Sequence, residues 1–246
     1  MIGRSGNPTL NDNTFEPSGQ YTGQDTMTIN GTVNKAFITL TVLLASAFST
    51  WIMYFDGHDV TKFYIGGAIA GFVLALIISF KPTASPYLVP IYAIAEGMFL
   101  GAISARFETY YQGITLQAAF LTMGVFFALL LAYKTRMIKA TENFKLGVFA
   151  ATGGIFIVYL LSFILGLFGI NIPYLHDNSV IGIGISVVIV IVAALNLVLD
   201  FDFIESGAQQ GAPKYMEWYG AFGLMVTLVW LYIEMLRLLA KIWSRD

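Results

Sequence analysis

The sequence predicts an all-α polytopic membrane protein, a seven-transmembrane-helix bundle, on three observations. Hydrophobic residues fill 57% of its 246 positions and charged ones only 11%, with a mean hydropathy of +0.72, whereas a soluble domain is about a quarter charged. The apolar residues gather into seven runs, each near the ~20 residues that a helix needs to cross the hydrocarbon. The connections are short and rich in turn residues, which leaves no room for a soluble domain. A net charge of −2 without a basic cluster excludes nucleic acid as a partner. Cysteine is absent, so disulfides, iron–sulfur clusters, thiolate zinc and cysteine nucleophiles are excluded.

Taken in order, residues 1–34 are polar, rich in Gly, Asn, Thr and Ser, and lack helical or strand period, so a disordered tail is expected there. This stretch does not read as a signal peptide, because the first apolar run after it is long enough to span. The membrane domain covers 35–242, with spans at about 35–55, 63–80, 86–105, 114–133, 146–170, 179–204 and 216–239, and 243–246 is a short tail. Turn chemistry marks the joints at Asp56-Gly57-His58-Asp59, Lys81-Pro82-Thr83, Gln112-Gly113 and Asn171-Ile172-Pro173. Gly67 and Gly71, Gly97 and Gly101, and Gly182, Gly184 and Ser186 form small-residue faces at helical spacing, which predicts close helix packing. Gly182-Ile183-Gly184 is no dinucleotide fingerprint, since no third glycine follows and no strand precedes.

Orientation follows from the basic residues. A cytoplasmic N-terminus puts Arg4, Lys35, Lys81, Lys134, Arg136, Lys139, Lys145 and Lys214 inside, against Lys62 and Arg106 on the outer loops. Arg237, Lys241 and Arg245 then fall outside, the one group that disagrees.

Ionisable groups at membrane depth cost ~2.5–3.5 kcal/mol on insertion scales, so they mark pathways or partners. The sixth span closes on Asp200, Asp202 and Glu205. Asn196 and Asp200 share a helix face, as do Asp202 and Glu205, so the two aspartates point different ways. Glu96 lies ten residues into the third span, ~15 Å deep, where it either bonds a neighbouring helix or lines a polar path. The last span carries Glu217 at its start and Glu234, ~25 Å further along by helix rise. Straight antiparallel helices would pair Asp200 with Glu217, although an acid at a helix start is also simply favoured by the dipole. The histidines, His58 and His176, lie in loops beside Asp56, Asp59 and Asp177 and read as solvated rather than as a zinc site. No His-Glu-x-x-His, phosphate loop or Gly-x-Ser-x-Gly is present, so no enzymatic activity and no cofactor are expected.

Three segments carry a resemblance. Leu199-Asp200-Phe201-Asp202-Phe203-Ile204, Leu231-Tyr232-Ile233-Glu234 followed by Leu236-Arg237-Leu238-Leu239, and Glu96-Gly97-Met98-Phe99-Leu100-Gly101 together resemble the Bax inhibitor (TMBIM) family, in its bacterial YccA-like branch. The resemblance implies a seven-helix bundle with the last helix central, in a bacterial inner membrane. It implies a pH-sensitive calcium leak through two acids of the last two helices, Asp200 matching the first and Glu234 the second, with calcium held transiently between them. It also implies a basic partner on another helix, for which Arg106 is the candidate, and, for some bacterial members, interaction with a membrane-bound AAA protease. Glu stands at 234 where the family motif has Asp, and the interval between the acids is longer than in the family pattern. The motif thus nominates Glu234 as partner of Asp200, whereas depth nominates Glu217. The alternative to a leak is a non-conducting regulatory membrane protein that binds the protease.

The absence of native cysteine makes topology directly testable. A single cysteine placed between Lys134 and Lys145 is expected to resist an impermeant thiol reagent in intact cells, and one between Asp56 and Lys62 to react. Labelling in the opposite pattern would reverse the orientation.

Overall fold

Each of the seven apolar runs becomes one helix, and side-chain caps set several of the ends. The computed structural model describes residues 26–170, 172 and 177–245. Among these residues the helices are α1 (Ile29–Phe55), α2 (Thr61–Phe80), α3 (Ser85–Tyr110, entered through a 3-10 turn at Pro82–Ala84), α4 (Ile114–Lys134), α5 (Glu142–Leu167), α6 (Val180–Gln209) and α7 (Met216–Trp243). All seven are long and apolar enough to cross a membrane.

The differences from the expected boundaries have local causes. Helix α1 starts at Ile29, inside the stretch assigned to the tail, because the Thr28 side chain accepts the Gly31 N–H at 3.0 Å and nucleates the turn ahead of the apolar run. The disordered-tail expectation for residues 1–25 lies outside the described residues. Thr141 caps α5 in the same way, accepting from the Phe144 N–H, so that helix begins at Glu142 rather than at 146. Ser179 is a cap rather than part of a span, since its Oγ accepts the Gly182 N–H at 3.1 Å. Helix α6 continues to Gln209, so Asp200, Asp202 and Glu205 are within the helix and do not terminate it. At thirty residues it is ~45 Å long, well beyond a ~30 Å hydrocarbon core.

Burial separates the helices into two kinds. About half of the most apolar window is buried in α3 (56%), α6 (50%) and α7 (56%), against 17% or less in the other four. Phe37, Phe72, Phe120 and Phe156 on those four are largely exposed, a surface suited to lipid and costly in water. Helix α7 is buried with few breaks from Met216 to Leu236.

The chain divides into two compact units, and α6 and α7 each contribute to both. The first holds residues 26–112 with Asp200–Val226. Here α3 packs against α1 and α2, and glycines make that approach possible. A Cβ on Gly67 would fall 2.6 Å from the Ala95 carbonyl oxygen, one on Gly97 would fall 2.7 Å from the Ser46 Cβ, and one on Gly101 would overlap the Ala47 carbonyl. The small-residue faces at 67–71 and 97–101 are therefore packing surfaces. Tyr92 of α3 meets Phe222 of α7 edge to face at 5.0 Å, and the rings of Tyr219 and Phe203 continue the seam. The second unit holds the described residues of Gly113–Leu199 and 227–246. Asn196 of α6 donates to Thr152 of α5 at 2.8 Å, and Lys241 of α7 donates to the Gly182 carbonyl of α6 at 3.1 Å.

The packing role of these glycines predicts a contrast. Gly101→Leu is expected to lower stability by about 1–3 kcal/mol through overpacking, whereas Gly66→Leu, whose Cβ would meet nothing within reach, should be nearly silent. Thermal unfolding of the detergent-solubilised variants checks this, and equal effects would contradict it.

Candidate functional site

Among the described residues three carboxylates are almost completely buried: Asp200 at 1% exposure, Glu217 at 0% and Glu234 at 1%. Their surroundings differ, and the differences decide what each can do.

Glu217 lies in the first turn of α7, and its carboxylate reaches the first turn of α1. Thr28 donates to Oε1 through both its backbone N–H (3.0 Å) and its hydroxyl (2.9 Å), while the same hydroxyl caps α1. Lys35 bonds Oε2 and Lys214 bonds Oε1 at 3.0 Å. The Lys35 ammonium also lies 5.7 Å from the Trp218 ring centre. A negative charge is therefore held where the positive ends of two helices converge, with two cations beside it. Gly31 permits the approach, because a Cβ there would collide with the Glu217 carboxylate. Around this cluster Met27 N–H donates to the Ala212 carbonyl and Thr26 forms a lone β-bridge with Pro213. Depth arithmetic had nominated Glu217 as the partner of Asp200. Two lysines and Thr28 surround the carboxylate, and Glu217 forms a salt-bridged staple between α1 and α7.

Glu234 has a different set, wholly within the second unit. The Tyr159 hydroxyl of α5 lies 3.1 and 3.0 Å from its two oxygens, and Arg237 Nη1, one turn along α7, donates to Oε1 at 3.0 Å. The guanidinium sits 5.3 Å from the Tyr159 ring centre, closing a three-membered cluster. Arg237 is 42% exposed, so the buried acid is tied to a cation that reaches the surface.

Asp200 belongs to the first unit and Glu234 to the second. Asp200 makes interactions of its own, but its Oδ2 atom is buried and accepts no hydrogen bond among the described residues. Asp202 and Glu205 are half-buried on the following turns, and Glu205 accepts from Gln209 at 3.2 Å. Glu96, half-buried on α3, has its carboxylate against Gly71 of α2, where a Cβ would fall 2.5 Å from Oε2. The small residue on α2 thus makes room for an acid in the middle of a span.

Arg106 is exposed near the C-terminal end of α3. The cations that ion-pair with Glu217 and Glu234 are Lys35, Lys214 and Arg237. Of these Arg237 and Lys214 had a local signal, each lying three residues from its acid, Arg237 on the same helix face as Glu234. Lys35 and Tyr159 are joined to their acids by tertiary packing, which sequence spacing does not encode. His58 is exposed, and its neighbour Asp59 is held below its usual carboxyl range by hydrogen bonds from Thr61, first from its side chain and then from its N–H at 2.9 Å. His176 lies outside the described residues. No group of three or more His, Cys, Asp or Glu side chains that could hold a metal occurs among the described residues.

Seven spanning helices and carboxylates buried along them define an integral membrane protein with charge held inside its apolar body. The family described as Bax inhibitor 1 like matches residues 7–244, and the chain belongs to that family. Curated proteins and solved structures give no match.

The Glu217 cluster predicts unequal roles for its lysines. Lys35→Met should cost about 1–3 kcal/mol, because it strips a hydrogen bond from a buried charge, whereas Lys214→Met should cost under about 1 kcal/mol, its ammonium being half exposed. Unfolding of the two variants in detergent checks the order, and an equal loss would contradict it.

Proposed function

We propose that the chain is a pH-sensitive cation leak, with calcium as the permeant ion, in a bacterial inner membrane with its N-terminus in the cytoplasm. The observation that carries this reading is Asp200, an acid 1% exposed on the most apolar of the seven helices. An ionisable group at such depth is costly, which marks it as a candidate for an ion path or a proton site. Membership of the Bax inhibitor 1 like family is consistent with it.

In this reading the acids act by protonation. Ionised, Asp200 offers a hard oxygen ligand to a partly dehydrated calcium ion; protonated, it offers none. Glu234 acts through Arg237, since a proton on Glu234 removes the Coulombic hold on that guanidinium. Asp202 and Glu205, half-buried beyond Asp200 on the same helix, form an acidic approach. Calcium is cargo here, and brief contact with few ligands suits conduction better than a closed cage. The second reading is a non-conducting regulatory protein that binds a membrane-bound AAA protease. The well-compensated Glu217 and Glu234 favour it, because such pairs also serve helix specificity.

Calcium uptake into proteoliposomes of the purified chain separates the two. The leak reading expects uptake that varies with pH, and Asp200→Asn should reduce it about tenfold at neutral pH, the equivalent of roughly 1.4 kcal/mol of lost ion attraction, and flatten the pH profile. Unchanged uptake in the variant would remove Asp200 from the mechanism. No uptake by the unaltered chain at any pH would leave the regulatory reading.

A further inference from the structure

Helices α5 and α6 do not close against each other along their whole length. Between them runs a groove of about 630 Å³, lined on α5 from Ala151 through Gly154 to Tyr159 and on α6 from Ile181 through Gly184 to Val192. The lining residues recur every three or four positions on each helix, so the groove follows one continuous stripe of each. Its length along α6 is ~16 Å at helix rise. The cause is local: Gly154 and Gly184 leave space that side chains would occupy, and a Cβ on either would meet nothing within 4 Å. Val158, Ile181 and Val188 on its walls are strongly exposed, so the groove opens sideways, to lipid in a membrane.

One end of this apolar channel is charged. Tyr159 lines it, and the Arg237 guanidinium lies 5.3 Å from the Tyr159 ring centre. Lys241 donates to the carbonyl of Gly182, next to Ile181 at the same end. The acids here are Glu234, bonded by Tyr159 and Arg237, and Asp177, whose carboxylate accepts from the Ser179 hydroxyl at 2.7 Å. Arg237 has five N–H donors, more than its bond to Glu234 uses, and is 42% exposed. An apolar channel parallel to the spanning helices with a guanidinium at one end matches an acyl chain with a phosphate at its head.

We propose that the α5–α6 groove binds one membrane phospholipid, an acyl chain lying between Gly154 and Gly184 and the phosphate meeting Arg237. The site lies entirely within the second unit and does not depend on whether the chain conducts ions.

The test is native mass spectrometry of the full chain released from detergent, titrated with phosphatidylglycerol or with a diacylglycerol of the same acyl chains. One phosphatidylglycerol should be retained about tenfold or more tightly than the diacylglycerol, as expected for a charge-assisted hydrogen bond to phosphate. Arg237→Gln should bring phosphatidylglycerol down to the diacylglycerol level. Gly184→Phe and, from the opposite wall, Gly154→Phe should each weaken both lipids. Equal retention of the two lipids by the unaltered chain would overturn the proposal without any variant. Undiminished binding in both phenylalanine variants would overturn it too, the bound lipid then being ordinary boundary lipid.

Discussion

A carboxylate removed from water must find its charge and hydrogen bonds answered by the protein, and in this chain that demand falls most heavily on Glu217. Its partners come from three places in the sequence: Thr28 before α1, Lys35 within α1, and Lys214 before α7. Two helix N-termini face the same acid, so their dipoles add where they would otherwise repel. That arrangement requires α1 and α7 to start at the same level and to run in the same sense, as odd-numbered crossings of one membrane must. It also explains why α1 begins ahead of its apolar run. Without Glu217 the Thr28 N–H and the first-turn dipole would face hydrocarbon or water alone.

The remainder of α7 extends the same logic. Its first half is joined to α3 by the aromatic seam of Tyr92 and Phe222, and further along Glu234 is tied by Tyr159 and Arg237. Helix α7 thus carries a compensated acid near each end with apolar packing between. Breaking one partner of such a buried pair costs more than the pair itself contributes, because the charge left behind stays desolvated. Protonation is the gentler route, since it removes the charge without removing the side chain, and this is why buried acids lend themselves to pH control.

The spans were legible because hydrocarbon imposes a length and a composition that few other structures share. The glycine faces at 67–71 and 97–101 were legible as packing for a similar reason: the spacing places them on one side, and a bare backbone there has one main use. The cap at Thr28 was hidden, since Ile29–Asn34 lacks apolar period and its helix depends on an acid 189 positions away. Helix rise fixes height and says nothing of azimuth, so depth alone did not reveal the Thr28, Lys35 and Lys214 groups that Glu217 meets. Lys35 was counted as a loop charge for orientation, yet it points at Glu217 and packs by Trp218. Tyr159 carried no signal at all, being one aromatic in an apolar run. The groove between α5 and α6 is made by what Gly154 and Gly184 lack, and a missing side chain announces packing and emptiness in the same way.

The central claim is that Glu217 is an ionised, ion-paired acid and not a neutral carboxyl sharing a proton. Infrared difference spectroscopy between the unaltered chain and Glu217→Gln in lipid at neutral pH tests it most directly, because ionised and protonated carboxyl groups absorb at separate frequencies. The account predicts that the substitution removes carboxylate absorption and leaves the protonated carboxyl band unchanged. Loss of intensity from the protonated band would contradict it.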